Sequence, residues 1–438
     1  MSKSARQIAF EILLKIEKDK AYSNLAIDSA VKAFSPDSTD CAFISRLVYG
    51  VTERKITLDY IISGCLSQSI NKLKKEVLVV LRLGVYQLVF SDKIPPSAAV
   101  NESVKLVKNN KCGFASGLVN AVLRKVSKDG FNVPSDMDFV ERVSVMYSAP
   151  VELVKFLSYH YGENNAEDFL AAALLPKKVI VRVNTVKTNA QELKELLEKE
   201  GVGVIDTDTP NAFQVELNKA VYETECYKKG LFHVEDISSQ LCIEALAPFE
   251  NCTLIDVCSA PGGKTFTAAE YMNNKGVVYS CDIYESRTEL IKEGADRLGL
   301  SCIKPFVNDA TEFNEAFPQA DRVLCDVPCS GMGIISKKPE IKYKKLDDIK
   351  ELLPIQKKIL ETSSRYVKKG GRLVYSTCSV NPNENRKICD AFLKDHPEFS
   401  SVKVLPHIQR MADEGDYLTL TMHKNNCDGF FIAVFDRK

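Results

Sequence analysis

The chain has no Cys-x-x-Cys pair, although it carries 14 cysteines between Cys41 and Cys427. Cys325 and Cys329 come closest, and no second pair stands near them, so the ligand spacing of a structural zinc site is missing. Any apolar run of the roughly 18 to 20 residues that cross a bilayer is missing too. Residues 1–20 mix charges with apolar side chains and lack the unbroken apolar core of a secretion signal. These absences predict a cytoplasmic protein, off the membrane and without metal, whose cysteines are free thiols. Tryptophan is absent altogether, and no internal repeat or low-complexity tract occurs.

Net charge is +0, which gives no overall pull toward a polyanion. The balance is uneven, however. Residues 1–140 hold 20 Lys and Arg against 14 Asp and Glu, a difference of +6, and the remainder carries −6. That excess suits a phosphate backbone, and equally a solvated helical surface.

At 438 residues, two or three domains are expected. Residues 1–132 read as all-α: Ile8, Ile12, Leu13 and Ile16 recur at helical spacing, as do Val77, Val80, Leu81, Val85 and Leu88. Pro95 and Pro96 break one helix and suit the start of the next. Residues 133–233 read as a small α+β module, with helix over 151–175, a strand from Val179 to Asn184, a charged amphipathic helix from Ala190 to Lys199 and an extended piece from Gly201 to Val204. From 234 to 438 helices alternate with six candidate strands, near 253–257, 276–282, 302–307, 322–326, 371–376 and 429–435. That alternation predicts an α/β fold with a mostly parallel, doubly wound sheet.

Strand ends on one edge of such a sheet are where α/β folds bind cofactors. The first strand runs into Asp256-Val257-Cys258-Ser259-Ala260-Pro261-Gly262-Gly263-Lys264-Thr265. A dinucleotide fingerprint needs three spaced glycines, and only adjacent Gly262 and Gly263 are here. A phosphate loop is a near miss: Gly263-Lys264-Thr265 fits its end and Val323-Leu324-Cys325-Asp326 its magnesium strand, but Cys258 puts a Cβ where the first glycine belongs. S-adenosyl-L-methionine binding is the third reading. Asp282, twenty positions beyond Gly262, ends the next strand, where an acid can take both ribose hydroxyls, and Asp309 follows the third strand, where an adenine would lie. Each acid taken alone is as readily an ordinary strand-end or cap residue.

Two further strands end at cysteines: Asp326-Val327-Pro328-Cys329-Ser330-Gly331 and Ser376-Thr377-Cys378-Ser379. A cysteine within a strand is usually a small buried hydrophobe, the reading given to Cys281, Cys302 and Cys325. Cys329 and Cys378 instead follow their strands among small or polar neighbours that leave room for a flat substrate. Two thiols suit methylation of cytosine C5, a poor nucleophile. A thiolate adding to C6 pushes electrons onto C5, which then attacks a methyl sulfonium. A second thiol helps expel the first or remove the C5 proton. A free thiol has a pKa of about 8.5, so the nucleophile needs local activation. Asp326 stands where it could hydrogen-bond the cytosine edge. A paired base must first be unstacked, at a cost of roughly a few kcal/mol.

These blocks, with Asn383-Glu384-Asn385 and Asp428-Gly429-Phe430-Phe431, resemble the signature blocks of RNA cytosine-C5 methyltransferases. Ala21-Tyr22-Ser23-Asn24-Leu25, Leu81-Arg82-Leu83-Gly84-Val85-Tyr86-Gln87-Leu88, Ala98-Ala99-Val100-Asn101-Glu102 and Val119-Asn120-Ala121-Val122-Leu123-Arg124 resemble the helical, RNA-binding NusB domain. The pairing is similar to the bacterial RsmB (Sun, Fmu) branch, and Val181-Arg182-Val183-Asn184-Thr185 fits its connecting module. The resemblance implies a Rossmann-like methyltransferase domain behind a NusB-like one. It implies S-adenosyl-L-methionine as cofactor and 16S ribosomal RNA, free or in an assembling small subunit, as partner of a monomer. Its target would be one cytosine, number 967. Cys378 would be the nucleophile and Cys329 would assist release, although DNA cytosine methyltransferases use the cysteine of their Pro-Cys motif instead. The cofactor would lie against Cys258, Ser259, Ala260, Pro261, Gly262, Gly263, Lys264, Asp282, Asp309 and Asp326. Glu235 stands where the family usually has Gln, and Lys342-Tyr343 where a tryptophan is common; neither departure touches the expected chemistry. The rival is a NusB-like RNA-binding adaptor whose sheet domain is catalytically silent, which would bind RNA in a salt-dependent way and show no cofactor affinity.

Overall fold

The computed structural model describes residues 3–19, 23–217, 220–409 and 415–438. Ala21 and Tyr22 of the first NusB-like block lie outside the described residues. Two compact units emerge, Met1–Leu174 with Ile335–Lys344, and Leu175–Ile334 with Lys345–Lys438.

The first unit is helical. Ala5–Asp19, Ser23–Phe34, Ser38–Glu53, Lys55–Ser63, Lys75–Val89, Pro96–Asn109 and Ser116–Asp129 carry the apolar stripes read from the sequence. Pro96 sits in the first turn of its helix, where a missing N–H leaves nothing unpaired. Phe139–Tyr147, Val151–Tyr161 and Glu163–Ala172 belong to the same unit, so the helical stretch expected over 151–175 is present as two helices parted at Gly162 and packs with the helical unit rather than with the α+β module. Phe10, Ile44, Leu47, Leu58, Ile62, Leu81 and Leu123 are fully buried in one core. Arg82 is buried with them, held by both oxygens of Asp59 at 2.7 Å and by Glu17 at 3.0 Å. Two carboxylates offset the cost of burying that guanidinium.

Residues 335–344 pack into this helical unit as a strap. Glu340 accepts from the Ser23 amide at 3.1 Å, Lys342 Nζ donates to the Glu53 carbonyl at 2.8 Å, and the Tyr343 hydroxyl donates to the Thr52 carbonyl at 2.9 Å. Lys342 and Tyr343 are therefore engaged inside the unit rather than offered as a stacking surface.

In the second unit, β1 (Val179–Val183), β2 (Gly203–Asp206), β3 (Ala212–Glu216) and β4 (Phe232–Val234) form an antiparallel sheet in the order β2-β3-β1-β4. The Ala190–Lys199 helix buries Leu193 and Leu197 in the core shared with it. The large sheet holds β5 (Thr253–Asp256), β6 (Val277–Asp282), β7 (Ile303–Val307), β8 (Ala320–Asp326), β9 (Val367–Thr377), β10 (Phe399–Val402), β11 (Leu418–Leu420) and β12 (Phe430–Arg437). Its order is β10-β12-β9-β8-β5-β6-β7, with β11 on β12. Pairs among β7, β6, β5, β8 and β9 are parallel, and β12 is antiparallel to its neighbours. Leu254, Ile255, Val323, Leu324, Leu373 and Val374 are buried, as in strands covered on both faces. The chain steps from β5 outward to β6 and β7, then crosses back to β8. That reversal opens a crevice at the carboxyl ends of β5 and β8.

Candidate active site

The glycine loop leaves β5 at this reversal. Ser259 anchors it, donating from its amide and hydroxyl to the Cys281 carbonyl at 2.7 and 2.8 Å. Behind it the Thr265 hydroxyl donates to Asp256 at 2.7 Å and meets Ser280 Oγ at 3.1 Å, and Ser280 reaches Ser259 Oγ at 2.8 Å. Asp256 is wholly buried, and burial lifts its carboxyl to about 7. Gly262 has φ 111°, and a Cβ there would lie 2.4 Å from the Phe266 ring, so only glycine fits. The Gly263–Tyr271 helix then starts, with its first N–H groups toward the loop.

The other cofactor candidates surround this loop. Lys264 Nζ meets Asp326 Oδ2 at 2.8 Å, and Ser376 donates to Asp326 Oδ1 at 2.8 Å. Burial opposes the charge on Lys264, but Asp326 outweighs it and holds the ammonium above its ordinary range. Asp282 accepts from the Tyr284 amide at 3.1 Å and pairs with Arg287 at 3.1 Å. Arg287 also donates to the Ala260 carbonyl at 2.9 Å, tying β6's end to the glycine loop. Sequence reading missed Arg287; its only signal was a cation five positions after the strand-end acid. Asp309 is exposed and accepts from the amide and hydroxyl of Thr311 at 2.9 and 2.8 Å, the ordinary capping role weighed for it.

Parallel register sets Asp326 of β8 opposite Ser376 of β9, so the residues just beyond emerge side by side. Cys329 and Cys378, each half-buried, bring their sulfurs to 2.9 Å. The Gly333 amide donates to the Cys378 carbonyl at 2.9 Å, and Gly429 donates to the Gly333 carbonyl at 2.9 Å. A Cβ on Gly333 would lie 1.8 Å from the Gly429 carbonyl oxygen, which requires two glycines at this crossing. The hydrogen bond with Cys378, then burial, then the charges of Glu384 and Asp326 hold the Cys329 thiol well above its ordinary range. Cys281, Cys302 and Cys325 are buried, as read. Cys258 is half-buried in the loop, and burial, then the charges of Asp256, Asp326 and Asp282, push its thiol far up.

Glu235 directly follows β4. It is buried against the glycine loop, with Oε1 3.3 Å from where a Cβ on Gly263 would sit. It accepts a short hydrogen bond from Thr267 and faces His233, which faces Glu270 at 3.4 Å. Arg182 closes the cluster on Glu270 at 2.8 Å. Burial pulls the imidazole down, but Glu270 and Glu235 outweigh it and raise His233 to about 9. Two cations thus face two carboxylates, and glutamate matches the charged imidazole.

The model of the 16S rRNA methyltransferase RsmB/F family matches residues 243–436. The NusB family model matches 3–128, and a ferredoxin-like domain model of RsmF/B-like methyltransferases matches 149–222. The probable ribosomal RNA small subunit methyltransferase B of Bacillus subtilis is 38% identical, over 99% of both chains. This chain belongs to the ribosomal RNA small subunit methyltransferase B family. The family's protein from Proteus mirabilis is 32% identical over 91% of both chains. The crystal structure of PH0851 covers 100% of both chains with a TM-score of 0.82 at 26% identity. That of a methyltransferase homolog protein from Pyrococcus horikoshii covers 70% of this chain and 100% of its own, with a TM-score of 0.61 at 26% identity. The chain is thus an S-adenosyl-L-methionine-dependent methyltransferase of small-subunit ribosomal RNA, with a NusB-like domain at its N-terminal end. Among the described residues no helix is long and apolar enough to cross a membrane, and no cluster of His, Cys, Asp and Glu could hold a metal.

Proposed function

We propose that this enzyme methylates C5 of one 16S rRNA cytosine, number 967, through a covalent bond from Cys378 to C6. The observation that carries the reading is the meeting of Cys329 and Cys378 at 2.9 Å, on the sheet edge where Lys264 and Asp326 join the glycine loop to the Cys329 loop. Residues Cys258 to Lys264, with Asp282 and Asp309, would hold the cofactor. The fit rests on two strand-end acids and on exposed Ile283 and Tyr284, an apolar face for a flat ring. Bound there, S-adenosyl-L-methionine supplies an electrophilic methyl group.

The unstacked cytosine enters over the two thiols, with its edge toward Asp326. Cys378 sulfur bonds to C6, and the displaced electron pair makes C5 nucleophilic. After methylation the C5 proton passes to water, its electron pair re-forms the C5–C6 double bond, and Cys378 departs as a thiolate that takes up a proton. Cys329, held as a thiol, lies next to the departing sulfur and assists its release. Residues 1–132 serve RNA capture, 133–233 connect, and 234–438 carry the transfer. A cytoplasmic monomer acting on ribosomal RNA completes the reading.

Bisulfite sequencing of ribosomal RNA from a deletion strain tests it. One small-subunit cytosine should lose protection and regain it with the wild-type gene. An unchanged cytosine pattern refutes the assignment.

A further inference from the structure

Glu384 is fully buried and has no part in the steps above. Its carboxylate accepts from the Ser330 amide at 2.7 Å, the Ser330 hydroxyl at 2.6 Å, the Ser379 hydroxyl at 2.7 Å and Gln356 Nε2 at 3.0 Å. Ser330 follows Cys329, and Ser379 follows Cys378. One carboxylate therefore holds the residue after each thiol, and the two hydroxyls lie 3.0 Å apart. Gln356 extends the clamp, because the same nitrogen donates to the carbonyl of Pro328, the residue before Cys329, at 3.0 Å. The Tyr375 hydroxyl donates to the Glu384 carbonyl at 2.6 Å and fixes this backbone to β9.

The site is built for an anion. The Ser330 amide can only donate, and the Pro328 carbonyl requires the Gln356 nitrogen to donate as well. A carboxylate surrounded by donors keeps its charge when buried, whereas any lost donor would be costly. We propose that Glu384 is the positioning residue of the two-thiol reaction, its carboxylate clamping the Pro328–Gly331 loop to the Thr377–Val380 loop so that Cys329 stands against Cys378. A fixed negative charge beside a thiol disfavours its thiolate. The hydrogen bond with Cys378 and burial hold the Cys329 thiol above its ordinary range, and the charge of Glu384 adds to them. This rests on the reading of Cys378 as the attacking sulfur.

The test uses the full chain and compares Glu384→Gln with Glu384→Asp. Glu384→Gln removes the charge and keeps the shape; Glu384→Asp keeps the charge and shortens the clamp. Both should lower single-turnover methylation of 16S rRNA at least tenfold, with cofactor affinity unchanged within twofold. A second readout is the pH profile of Cys329 alkylation by iodoacetamide, followed by peptide mass spectrometry in a Cys378→Ser background. Glu384→Gln should move that profile to lower pH, and Glu384→Asp should leave it in place. Full turnover in either variant overturns the proposal, as does an unmoved profile in Glu384→Gln. Should Glu384→Gln fail to fold, Glu384→Asp decides alone, with slow turnover and a native profile for the proposal and full turnover against it. Alkylation is read without methyl transfer, so failure of the Cys378 assignment would appear separately, as methylation surviving in Cys378→Ser.

Discussion

Lys264 Nζ and Asp326 Oδ2 lie 2.8 Å apart, so one ion pair joins the first turn of the helix after the glycine loop to the end of β8. Both side chains are largely shielded, with 15% and 23% exposure, so neutralising one partner strands the other. Asp326→Asn should cost on the order of 2 kcal/mol of stability, less than a fully buried pair because some solvent reaches it. It should also weaken S-adenosyl-L-methionine binding at least tenfold. Calorimetry and thermal melting check both effects; wild-type affinity in Asp326→Asn would show that the pair does not shape the cofactor site.

Gly262→Ala meets two obstacles, a φ of 111° and the Phe266 ring 2.4 Å from the new Cβ. The expected cost is about 2 kcal/mol or more, concentrated where the loop enters its helix. Cofactor affinity should fall at least tenfold. Shrinking Phe266 to Ala in the same chain should recover only the steric part, leaving the backbone strain visible in a double-mutant cycle.

His233 makes the second unit sensitive to alkaline pH. Glu235, Glu270 and the Thr267 hydroxyl face the ring, and Arg182 shares Glu270. The folded-state value of about 9 lies above the ordinary 6.5. The folded protein therefore holds this proton more tightly than the unfolded chain does. The stabilisation is complete below pH 6.5 and is lost as pH rises through about 9, on the order of 3 kcal/mol in all. Melting temperature followed from pH 6 to 10 should show the decline in the wild type and a flatter profile in His233→Gln.

Tyr343→Phe probes the strap in the helical unit. It removes the hydroxyl that donates to the Thr52 carbonyl at 2.9 Å and meets Ser148 Oγ at 3.1 Å. The expected loss is roughly 1 to 2 kcal/mol, because buried partners are left behind. Urea denaturation followed by helical circular dichroism measures it.

The edge of the large sheet was legible because each strand there is a short apolar run that stops at a chemistry-bearing residue: Asp256, Asp282, Asp326 and, one position past Thr377, Cys378. Local pattern carried that information. The strap was not legible, because Lys342 and Tyr343 are satisfied by Thr52, Glu53, Tyr147 and Ser148, almost 200 positions or more away. No periodicity within 335–344 announces such partners. Glu384 carries no local signal of its place, because it holds two loops that only the β8–β9 register brings together. Glu235 likewise draws its partners from β1, β4 and the helix after the glycine loop, which no local pattern announces.

The most direct measurement is the covalent intermediate itself. Cys329→Ser and Cys378→Ser proteins are incubated with unmethylated 16S rRNA and S-adenosyl-L-methionine, then resolved under denaturing conditions. Attack by Cys378 leaves a stable protein–RNA band in Cys329→Ser, no such band in Cys378→Ser, and none in the double variant. A stable band in Cys378→Ser, or full methylation without Cys378, would contradict it.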